Sequence, residues 1–330
     1  MAIMRMKHVR LGQDGPTVSR IGLGCMAMSG MYGPSDEAEC IATIHAALEA
    51  GINLLDTGDF YGMGHNEMLI GRALEGRRHE ALISVKFGSI RAPNGAWLGV
   101  DGRPQAVKNF LAYTLQRLRT DHIDIYRLSR VDPAVPIEET VGAIAEMVKA
   151  GFVRYIGLSE TGGESIRRAQ LTHPVCDVQI EYSLASRGME RAILPAAREL
   201  GIGITAYALL SRGLLTGSKT GGKGDFRGHL PRFSGENYER NQRLVMELAQ
   251  LAGENDATPA QIAIAWALTK GDDIVPLIGA RTRKQLKESL GALAIRLSTE
   301  DIGRAERIGA EIAGERYDPT QMRMLDSEKA

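Results

Sequence analysis

Cysteine is scarce in this sequence of 330 residues, aromatic residues make up only 5% of it, and neither sign of charge is in excess. The three cysteines, Cys25, Cys40 and Cys176, are too few and too scattered for a disulfide framework, and none has a histidine at metal-ligand spacing. Lysine and arginine balance aspartate and glutamate at 40 each. We therefore predict no metal site, and we expect neither nucleic acid nor an anionic membrane as a partner.

Membrane and export signals are also missing from the sequence. Residues 1–10 lack the charged-then-apolar layout of a signal peptide, and no apolar run approaches the roughly 20 residues that span a bilayer. We therefore expect a cytoplasmic location.

Short apolar runs rich in β-branched residues alternate with amphipathic stretches, a pattern typical of βα units around a parallel sheet. Eight such units follow one another without a linker, so the sequence predicts one α/β domain over residues 1–330, a (β/α)8 TIM barrel. The segments Lys7–Leu11 and Thr17–Arg20 predict an N-terminal β-hairpin that caps the bottom of the barrel. The predicted strands are Ile21–Met26, Asn53–Asp56, Ala81–Lys86, Ile123–Leu128, Val153–Leu158, Val178–Tyr182, Ile202–Ala206 and Ile274–Ile278.

Helix signals and one long loop lie between these strands. Ser35 is the predicted N-cap of the first long helix, Pro136 opens another, and Thr258-Pro259 starts a third. After the seventh strand, the segment from Gly213 to Arg240 shows no sustained periodicity. A structureless stretch of that length is usually functional or disordered, and we interpret it as a flap over a ligand; a tolerated surface insertion is the alternative.

Four polar residues mark the candidate active site. Asp56, Lys86 and Ser129 each end a predicted strand and Tyr61 follows the second strand, so the four should converge at the C-terminal face of the barrel. A tyrosine is a poor acid unless a nearby cation favours its phenolate form. Lys86 would supply that cation and Asp56 would hold it, which predicts a proton donor tuned towards neutral pH. Taken singly, each residue has a structural alternative: a cap, a half-buried tyrosine or a salt bridge.

The segments that carry these residues are Asp56-Thr57-Gly58-Asp59-Phe60-Tyr61-Gly62, Val85-Lys86 and Asp124-Ile125-Tyr126-Arg127-Leu128-Ser129-Arg130-Val131-Asp132-Pro133. They resemble the active-site frame of the aldo-keto reductases, in particular the bacterial and plant branch with the pyridoxal and perakine reductases. The resemblance extends over nearly the whole chain. It implies a nicotinamide-dependent oxidoreductase that reduces aldehyde or ketone carbonyls of small molecules. In that family the position of Ser129 is ordinarily a histidine.

The resemblance also implies a cofactor site. In the family, the residues matching Ser159 and Gln179 bind the nicotinamide carboxamide, and the one matching Tyr207 stacks under the ring. Those matching Leu209, Ser211 and Gly213 line the pyrophosphate, and those near Gly279, Arg281 and Gln285 hold the adenosine end. Two positions depart from the pattern: Glu160 stands where many relatives have asparagine, and Glu288-Ser289 replaces a common Glu-Asn near the adenine.

Three arginines support the cofactor interpretation independently. Arg212, Arg281 and Arg283 follow the seventh and eighth strands, where such barrels commonly bind phosphate, and arginine forks match phosphate oxygens. They favour NADPH, with its 2′-phosphate, over NADH; for Arg283 a surface helix cap is the alternative. The segment Gly22–Ala27 also fits a loose G-x-G-x-x-A fingerprint, but the first good helix begins only near Ser35, so no dinucleotide-binding turn is predicted there.

Serine at position 129 is shorter than histidine and cannot carry a positive charge. His122 begins the same strand, about 23 Å away at the other end of the barrel, whereas His65 lies on the loop of Tyr61 and stays a candidate substitute. Arg127 shares the face of Ser129, so we expect it to point into the barrel, with Asp56 or Glu181 as its partner. The alternative is that Arg127 faces the helices.

Two hypotheses of different classes remain open. The first is an NADPH-dependent carbonyl reductase with Tyr61 as proton donor, assisted by Lys86 and Asp56. The second is a nicotinamide-binding sensor or regulatory barrel with low turnover, because Ser129 replaces the usual histidine. A phosphate-binding barrel isomerase ranks below both because the sequence lacks a suitably placed Glu/His pair.

Overall fold

The computed structural model describes residues 6–218 and 225–329. The strands are β1 (His8–Arg10), β2 (Thr17–Ser19), β3 (Gly22–Gly24), β4 (Leu54–Gly58), β5 (Leu82–Phe87), β6 (Ser89–Arg91), β7 (Trp97–Val100), β8 (Ile123–Leu128), β9 (Val153–Ser159), β10 (Val175–Glu181), β11 (Gly203–Tyr207) and β12 (Ile274–Gly279). The helices are α1 (Glu37–Glu49), α2 (His65–Ala73), α3 (Pro104–Leu118), α4 (Ile137–Lys149), α5 (Gly163–Thr172), α6 (Ile193–Glu199), α7 (Gly235–Glu254), α8 (Pro259–Leu268), α9 (Arg283–Gly291), α10 (Thr299–Ala310) and α11 (Pro319–Met324).

Eight of these strands close into a parallel barrel, in the order β3, β4, β5, β8, β9, β10, β11, β12 and back to β3. The predicted TIM barrel is confirmed. Each predicted strand overlaps a barrel strand, and Ile123–Leu128 agrees residue for residue. The largest difference is β10, which begins at Val175, three residues before the predicted start.

The N-terminal hairpin closes the bottom of the barrel, as predicted. Strands β1 and β2 pair antiparallel, and Leu11 and Val18 pack against Leu54, Ile125 and other apolar side chains of the barrel interior. This packing removes the apolar bottom of the barrel from water.

Two local predictions need correction. The N-cap of α1 is Asp36, whose Oδ1 accepts a hydrogen bond from the backbone N–H of Glu39 at 2.7 Å, and not Ser35. Ser35 donates instead to the carbonyl oxygen of Met28, because its side chain faces the preceding turn. Both residues are good N-caps, so the sequence could not choose between them.

The segment 213–240 is only partly the loop that we predicted. Residues 219–224 lie outside the described part, but short 3-10 turns occupy 226–229 and 231–233, and α7 begins at Gly235. Arg232 anchors this segment by donating to the carbonyl oxygen of Ala185 at 2.8 Å. These contacts are long-range, so the local sequence carries no sign of them. The flap hypothesis stays a prediction.

A second hairpin, β6–β7, follows β5 and was not predicted. It brings Ser89 to the mouth of the barrel, next to the end of β8. None of the helices within 6–218 and 225–329 is long and apolar enough to cross a membrane.

Candidate active site

Asp56 and Lys86 form a buried ion pair at the top of the barrel. Their strands, β4 and β5, are neighbours, and the Lys86 Nζ lies 2.5 Å from Asp56 Oδ1. The other carboxylate oxygen, Oδ2, accepts hydrogen bonds from Gln179 Nε2 at 2.7 Å and Ser84 Oγ at 3.1 Å. A buried carboxylate needs such partners, because leaving it unpaired would cost several kcal/mol. Asp56, on β4, is therefore fixed from two other strands, β5 and β10.

Tyr61 lies above this pair, on the 3-10 turn that follows β4. The Lys86 Nζ is 5.2 Å from the centroid of the tyrosine ring. Burial, reinforced by the Asp56 charge, raises the pKa of Tyr61 well above 10.0. The prediction of a hydroxyl tuned towards neutral pH is therefore wrong. The physical reason is that burial disfavours the charged phenolate and the nearby Asp56 carboxylate disfavours it further, so the phenol stays protonated at neutral pH.

Ser129 follows β8 and is 1% exposed, with its Oγ 3.3 Å from Ser89 Oγ. His65, the one candidate substitute for the missing histidine, is engaged by other side chains. His122 precedes β8 at the opposite end of the barrel, as predicted. The ring of His65 is held by Ser29 Oγ, at 2.9 Å from Nδ1, and by Glu37 Oε2, at 3.3 Å from Nε2.

Arg127 points into the barrel, as predicted, and is fully buried. Its main partner is Asp177: Nη2 lies 3.0 Å from both oxygens of that carboxylate, whereas the predicted partner Asp56 is 3.9 Å from Nη1. The other predicted partner, Glu181, contacts Arg212, Arg232 and Arg316 instead. Asp177 lies two residues before Gln179 on β10, so period-two alternation could have identified it as inward-facing.

The Arg127–Asp177 ion pair fits in the barrel because position 157 on β9 is a glycine. A Cβ at this position would lie 2.6 Å from Asp177 Oδ1 and 3.1 Å from Arg127 Nε. Any larger residue would therefore displace the buried ion pair. The need for glycine here arises from two other strands, so β9 alone does not reveal it.

Three residues of the proposed cofactor site lie side by side at the ends of β9, β10 and β11. The Ser159 hydroxyl is buried and has no hydrogen-bond partner among the described residues. Gln179 Nε2 donates a hydrogen bond to Asp56. The hydroxyl of the half-buried Tyr207 donates a hydrogen bond to Glu160 at 2.7 Å. The unpaired Ser159 hydroxyl fits a carboxamide ligand, because buried polar atoms otherwise have partners.

The loop after β11 carries Leu209, Ser211, Arg212 and Gly213. Ser211 and Arg212 adopt left-handed backbone conformations, with φ of 48° and 58°, which are rare for residues other than glycine and mark functional constraint or strain. The Arg212 guanidinium contacts Glu181, with Nη2 2.7 Å from Oε2. This guanidinium is therefore already paired with a carboxylate, which does not support the predicted phosphate contact.

Gly279, Arg281 and Gln285 lie at the end of β12 and the start of α9. Arg281 Nη1 donates to the carbonyl oxygen of Pro34 at 3.1 Å, and the guanidinium has no carboxylate partner within the described ranges. Its backbone N–H donates to Gln285 Oε1 at 3.0 Å. Arg283, by contrast, is exposed and pairs with Glu39 at 2.8 Å, which agrees with the alternative of a surface contact. Arg281 is thus the arginine of this group that is free to bind a phosphate.

Glu160 has a role that was not predicted. Its buried carboxylate accepts two hydrogen bonds from Arg316, at 2.9 and 2.6 Å, and others from Tyr207 and Ser327. Burial favours the neutral acid, but the Arg316 guanidinium outweighs it and holds the pKa of Glu160 well below its usual range. Arg316 belongs to the C-terminal segment, 156 residues away, and no local pattern points to the contact.

Comparison with known proteins agrees with this arrangement. The family model described as Aldo/keto reductase family matches residues 20–310. The chain belongs to the aldo/keto reductase family. A probable aldo-keto reductase of Glycine max is 41% identical, over 96% of this chain and 93% of that protein. An NADP(+) aldo-keto reductase of Schizosaccharomyces pombe is 40% identical, over 94% of each.

Solved structures extend the likeness to three dimensions. A glycerol dehydrogenase from Gluconobacter oxydans has a TM-score of 0.82 at 30% identity, covering 97% of this chain and 99% of that one. The holo form of an aldo-keto reductase from Bacillus halodurans has a TM-score of 0.77 at 26% identity, covering 98% and 100%. Family membership makes the chain a nicotinamide-dependent oxidoreductase that acts on small carbonyl compounds.

Proposed function

We propose that this aldo/keto reductase acts as a single barrel domain and reduces aldehydes or ketones to alcohols with NADPH, using Tyr61 as the proton donor. The observation that supports this most directly is the Lys86–Asp56 ion pair buried beneath the Tyr61 ring. A tyrosine, a lysine or an aspartate that occurs alone usually has a structural role. Together they supply a proton donor beside a paired cation, at the C-terminal face where such barrels carry their active sites.

The cofactor, when bound, supplies the hydride that the carbonyl carbon receives. Tyr61 gives its hydroxyl proton to the carbonyl oxygen, and its raised pKa ensures that the proton is present at neutral pH. Lys86 then stabilises the phenolate that remains, until solvent returns a proton. Asp56 keeps the Lys86 ammonium in place, opposing the effect of burial, which lowers the pKa of Lys86.

Ser159, Gln179 and Tyr207 would hold the nicotinamide, and Leu209, Ser211 and Gly213 the pyrophosphate. Gly279, Arg281 and Gln285 would hold the adenosine end. The preference for NADPH is supported by Arg281, whose guanidinium has only carbonyl partners among the described residues. It is also supported by the Schizosaccharomyces pombe relative, whose name includes NADP(+).

Ser129 favours a second candidate function, a nicotinamide-binding sensor with little turnover. Serine removes one hydrogen-bond donor to the substrate carbonyl, and a single donor of this kind contributes about 2.7–4 kcal/mol to transition-state stabilisation. Binding of the cofactor does not need this donor. A barrel that binds NADPH but reduces carbonyls slowly is the expected result.

The two functions separate in one experiment. NADPH affinity is measured by fluorescence titration, and NADPH oxidation is followed with a panel of aliphatic and aromatic aldehydes and ketones. Substantial turnover with at least one carbonyl supports the reductase, and product analysis with stereospecifically deuterated NADPH confirms direct hydride transfer. Tight NADPH binding without turnover across the panel supports the sensor. Failure to bind either nicotinamide cofactor contradicts both.

A further inference from the structure

Arg130 extends across the mouth of the barrel. It directly follows Ser129, and its Nη1 donates to the Ser129 carbonyl oxygen at 2.6 Å. Its Nη2 donates to the Tyr317 hydroxyl at 3.2 Å, and that hydroxyl lies 3.3 Å from the Tyr207 hydroxyl at the end of β11. Through Tyr317, Arg130 therefore connects the end of β8 with the end of β11, two strands that are separated by β9 and β10 in the barrel.

The other arginines of the mouth are paired with carboxylates. Arg212 and Arg232 both contact Glu181, and Arg316 contacts Glu160 and Glu328. Arg130 is different, because no carboxylate oxygen of the residues in 6–218 and 225–329 lies within 4.0 Å of its nitrogens. Four guanidinium groups thus face three carboxylates within the described ranges, and Arg130 is the one of the four without a direct carboxylate contact, although the Glu160 charge acts on it from beyond 4.0 Å.

The ion pairs below the mouth do not compensate this charge. Lys86 is neutralised by Asp56, and Arg127 by Asp177. Burial and the Asp56 charge raise the pKa of Tyr61, and the Arg130 charge opposes that rise, so the guanidinium is close enough to act on the phenol. A half-buried cation that has only neutral oxygen partners, beside the proton donor, attracts an anion.

Donors are available for that anion. A guanidinium has five N–H donors, and the bonds to Ser129 and Tyr317 use two of them, which leaves three. The fork geometry of arginine matches a carboxylate. The proposed pyrophosphate and adenosine contacts follow β11 and β12, whereas Arg130 follows β8. An anion at Arg130 therefore belongs to the substrate side of the site.

We propose that Arg130 is a specificity-determining residue that binds a carboxylate group of the substrate, so that the enzyme prefers carbonyl compounds bearing a carboxylate over neutral ones. The proposal rests on the proposed carbonyl reductase function. A substrate bound in this way places its carboxylate on Arg130 and its carbonyl oxygen at Tyr61. Part of the orientation that a histidine at position 129 would provide then comes from the next residue.

The test compares 4-formylbenzoate with its methyl ester, which differ in charge but not in the reacting aldehyde. We expect the wild-type protein to have a kcat/KM about tenfold to a hundredfold higher for the acid, mainly through KM, which corresponds to one charge-assisted interaction. Arg130→Gln should lower kcat/KM for the acid about tenfold to a hundredfold more than for the ester, so that the preference is lost, and Arg130→Lys should keep part of the preference. The control is Arg243→Gln, which removes an exposed arginine of α7 and should leave kcat/KM unchanged for both substrates.

Equal kcat/KM of the wild type for acid and ester would overturn the proposal. An equal loss of kcat/KM for both substrates in Arg130→Gln would also overturn it. So would a matching loss of NADPH affinity in this variant, which would assign Arg130 to a cofactor phosphate. If the wild-type protein reduces neither probe, calorimetric binding of benzoate and methyl benzoate to the NADP-bound protein still decides the matter. Benzoate binding that weakens about tenfold in Arg130→Gln supports the proposal, whereas no binding, or binding that does not depend on Arg130, contradicts it. The absence of turnover alone would contradict only the proposed function.

Discussion

The Arg316 guanidinium forms two hydrogen bonds with the Glu160 carboxylate, Nη1 to Oε1 at 2.9 Å and Nη2 to Oε2 at 2.6 Å. This pair fastens the C-terminal segment to the end of β9. Glu160 also accepts a hydrogen bond from the Tyr207 hydroxyl. The same carboxylate therefore connects the C-terminal segment to the proposed nicotinamide site. The negative charge of Glu160 is thus neutralised within the protein by Arg316.

Breaking this pair should destabilise the fold in a pH-dependent way. Glu160→Gln removes the buried charge but keeps the shape, and we expect the free energy of unfolding at pH 7 to fall by about 3–5 kcal/mol, as for other buried pairs that lose one partner. The folded-state pKa of Glu160 is lowered, so its contribution is fully present above the unfolded pKa and is lost as pH falls below it.

Urea unfolding of wild type and Glu160→Gln checks this. The difference in the free energy of unfolding between the two proteins should be constant from pH 7 to about pH 5. It should shrink only below about pH 4, where glutamate ordinarily titrates. A difference that grows as the solution becomes more acidic would contradict the assignment. Glu146→Gln, which breaks the exposed contact with Lys108, is the matched control and should cost less than about 1 kcal/mol.

Tyr61→Phe should abolish carbonyl reduction while leaving NADPH affinity nearly unchanged, because the phenol acts on the substrate oxygen and not on the cofactor. Loss of a general acid typically lowers kcat by about 10²–10⁴-fold. Steady-state rates and fluorescence titration of NADPH measure the two effects. Tyr113→Phe, which alters an exposed tyrosine of α3, is the control. If Tyr61→Phe kept most of the wild-type rate, Tyr61 would not be the proton donor.

Tyr61 should remain protonated throughout the neutral range. Its pKa is raised above 10.0, so the acid form is lost only as pH rises beyond that value, and kcat for reduction should show no inflection from Tyr61 between about pH 6 and pH 9. An ultraviolet difference titration of wild type against Tyr61→Phe checks this directly. Tyrosinate absorbance that develops near pH 7 in the difference spectrum would show that Lys86 lowers the pKa after all.

Ser129→His should raise kcat for a small aromatic aldehyde more than it lowers KM. The added hydrogen-bond donor acts on charge that develops in the transition state. It should lower the activation free energy by at most about 2.7–4 kcal/mol. Ser129→Ala is the matched control and should change kcat little, because the serine hydroxyl lies near Ser89. An unchanged rate in a well-folded Ser129→His variant would mean that the pocket has adapted around serine.

Arg281→Ala should weaken NADPH binding by about 1–3 kcal/mol and affect NADH little, because a guanidinium that binds the 2′-phosphate makes a charge-assisted hydrogen bond. Arg283→Ala is the control, since Arg283 pairs with Glu39 and should affect neither cofactor. Both affinities are measured by fluorescence titration. Equal losses for NADPH and NADH in Arg281→Ala would place the arginine elsewhere on the nucleotide or show that it acts through the fold.

The barrel and much of the candidate site could be predicted from the sequence, because strand periodicity and strand ends are local features. Strand β8 shows this best: its limits, and the position of Ser129 after its end, follow from the run of β-branched and apolar residues. The inward direction of Arg127 follows from the alternation of side chains along the strand. Asp177 could have been found by the same rule on β10. The direction of the Tyr61 pKa shift was predicted wrongly because it depends on how deeply the phenol is buried and how close the Asp56 carboxylate lies, and both are set by the tertiary structure.

The sequence by itself determined the fold class, the order of the strands and the convergence of Asp56, Tyr61 and Lys86, because parallel strands in a barrel bring their C-terminal ends to one face. Only the tertiary structure decided which charges are neutralised. Arg316 reaches Glu160 across 156 residues, whereas Arg130 finds no carboxylate among the described residues. Ion pairing depends on distances of a few ångströms between side chains from separate strands and loops, and no local sequence pattern encodes those distances.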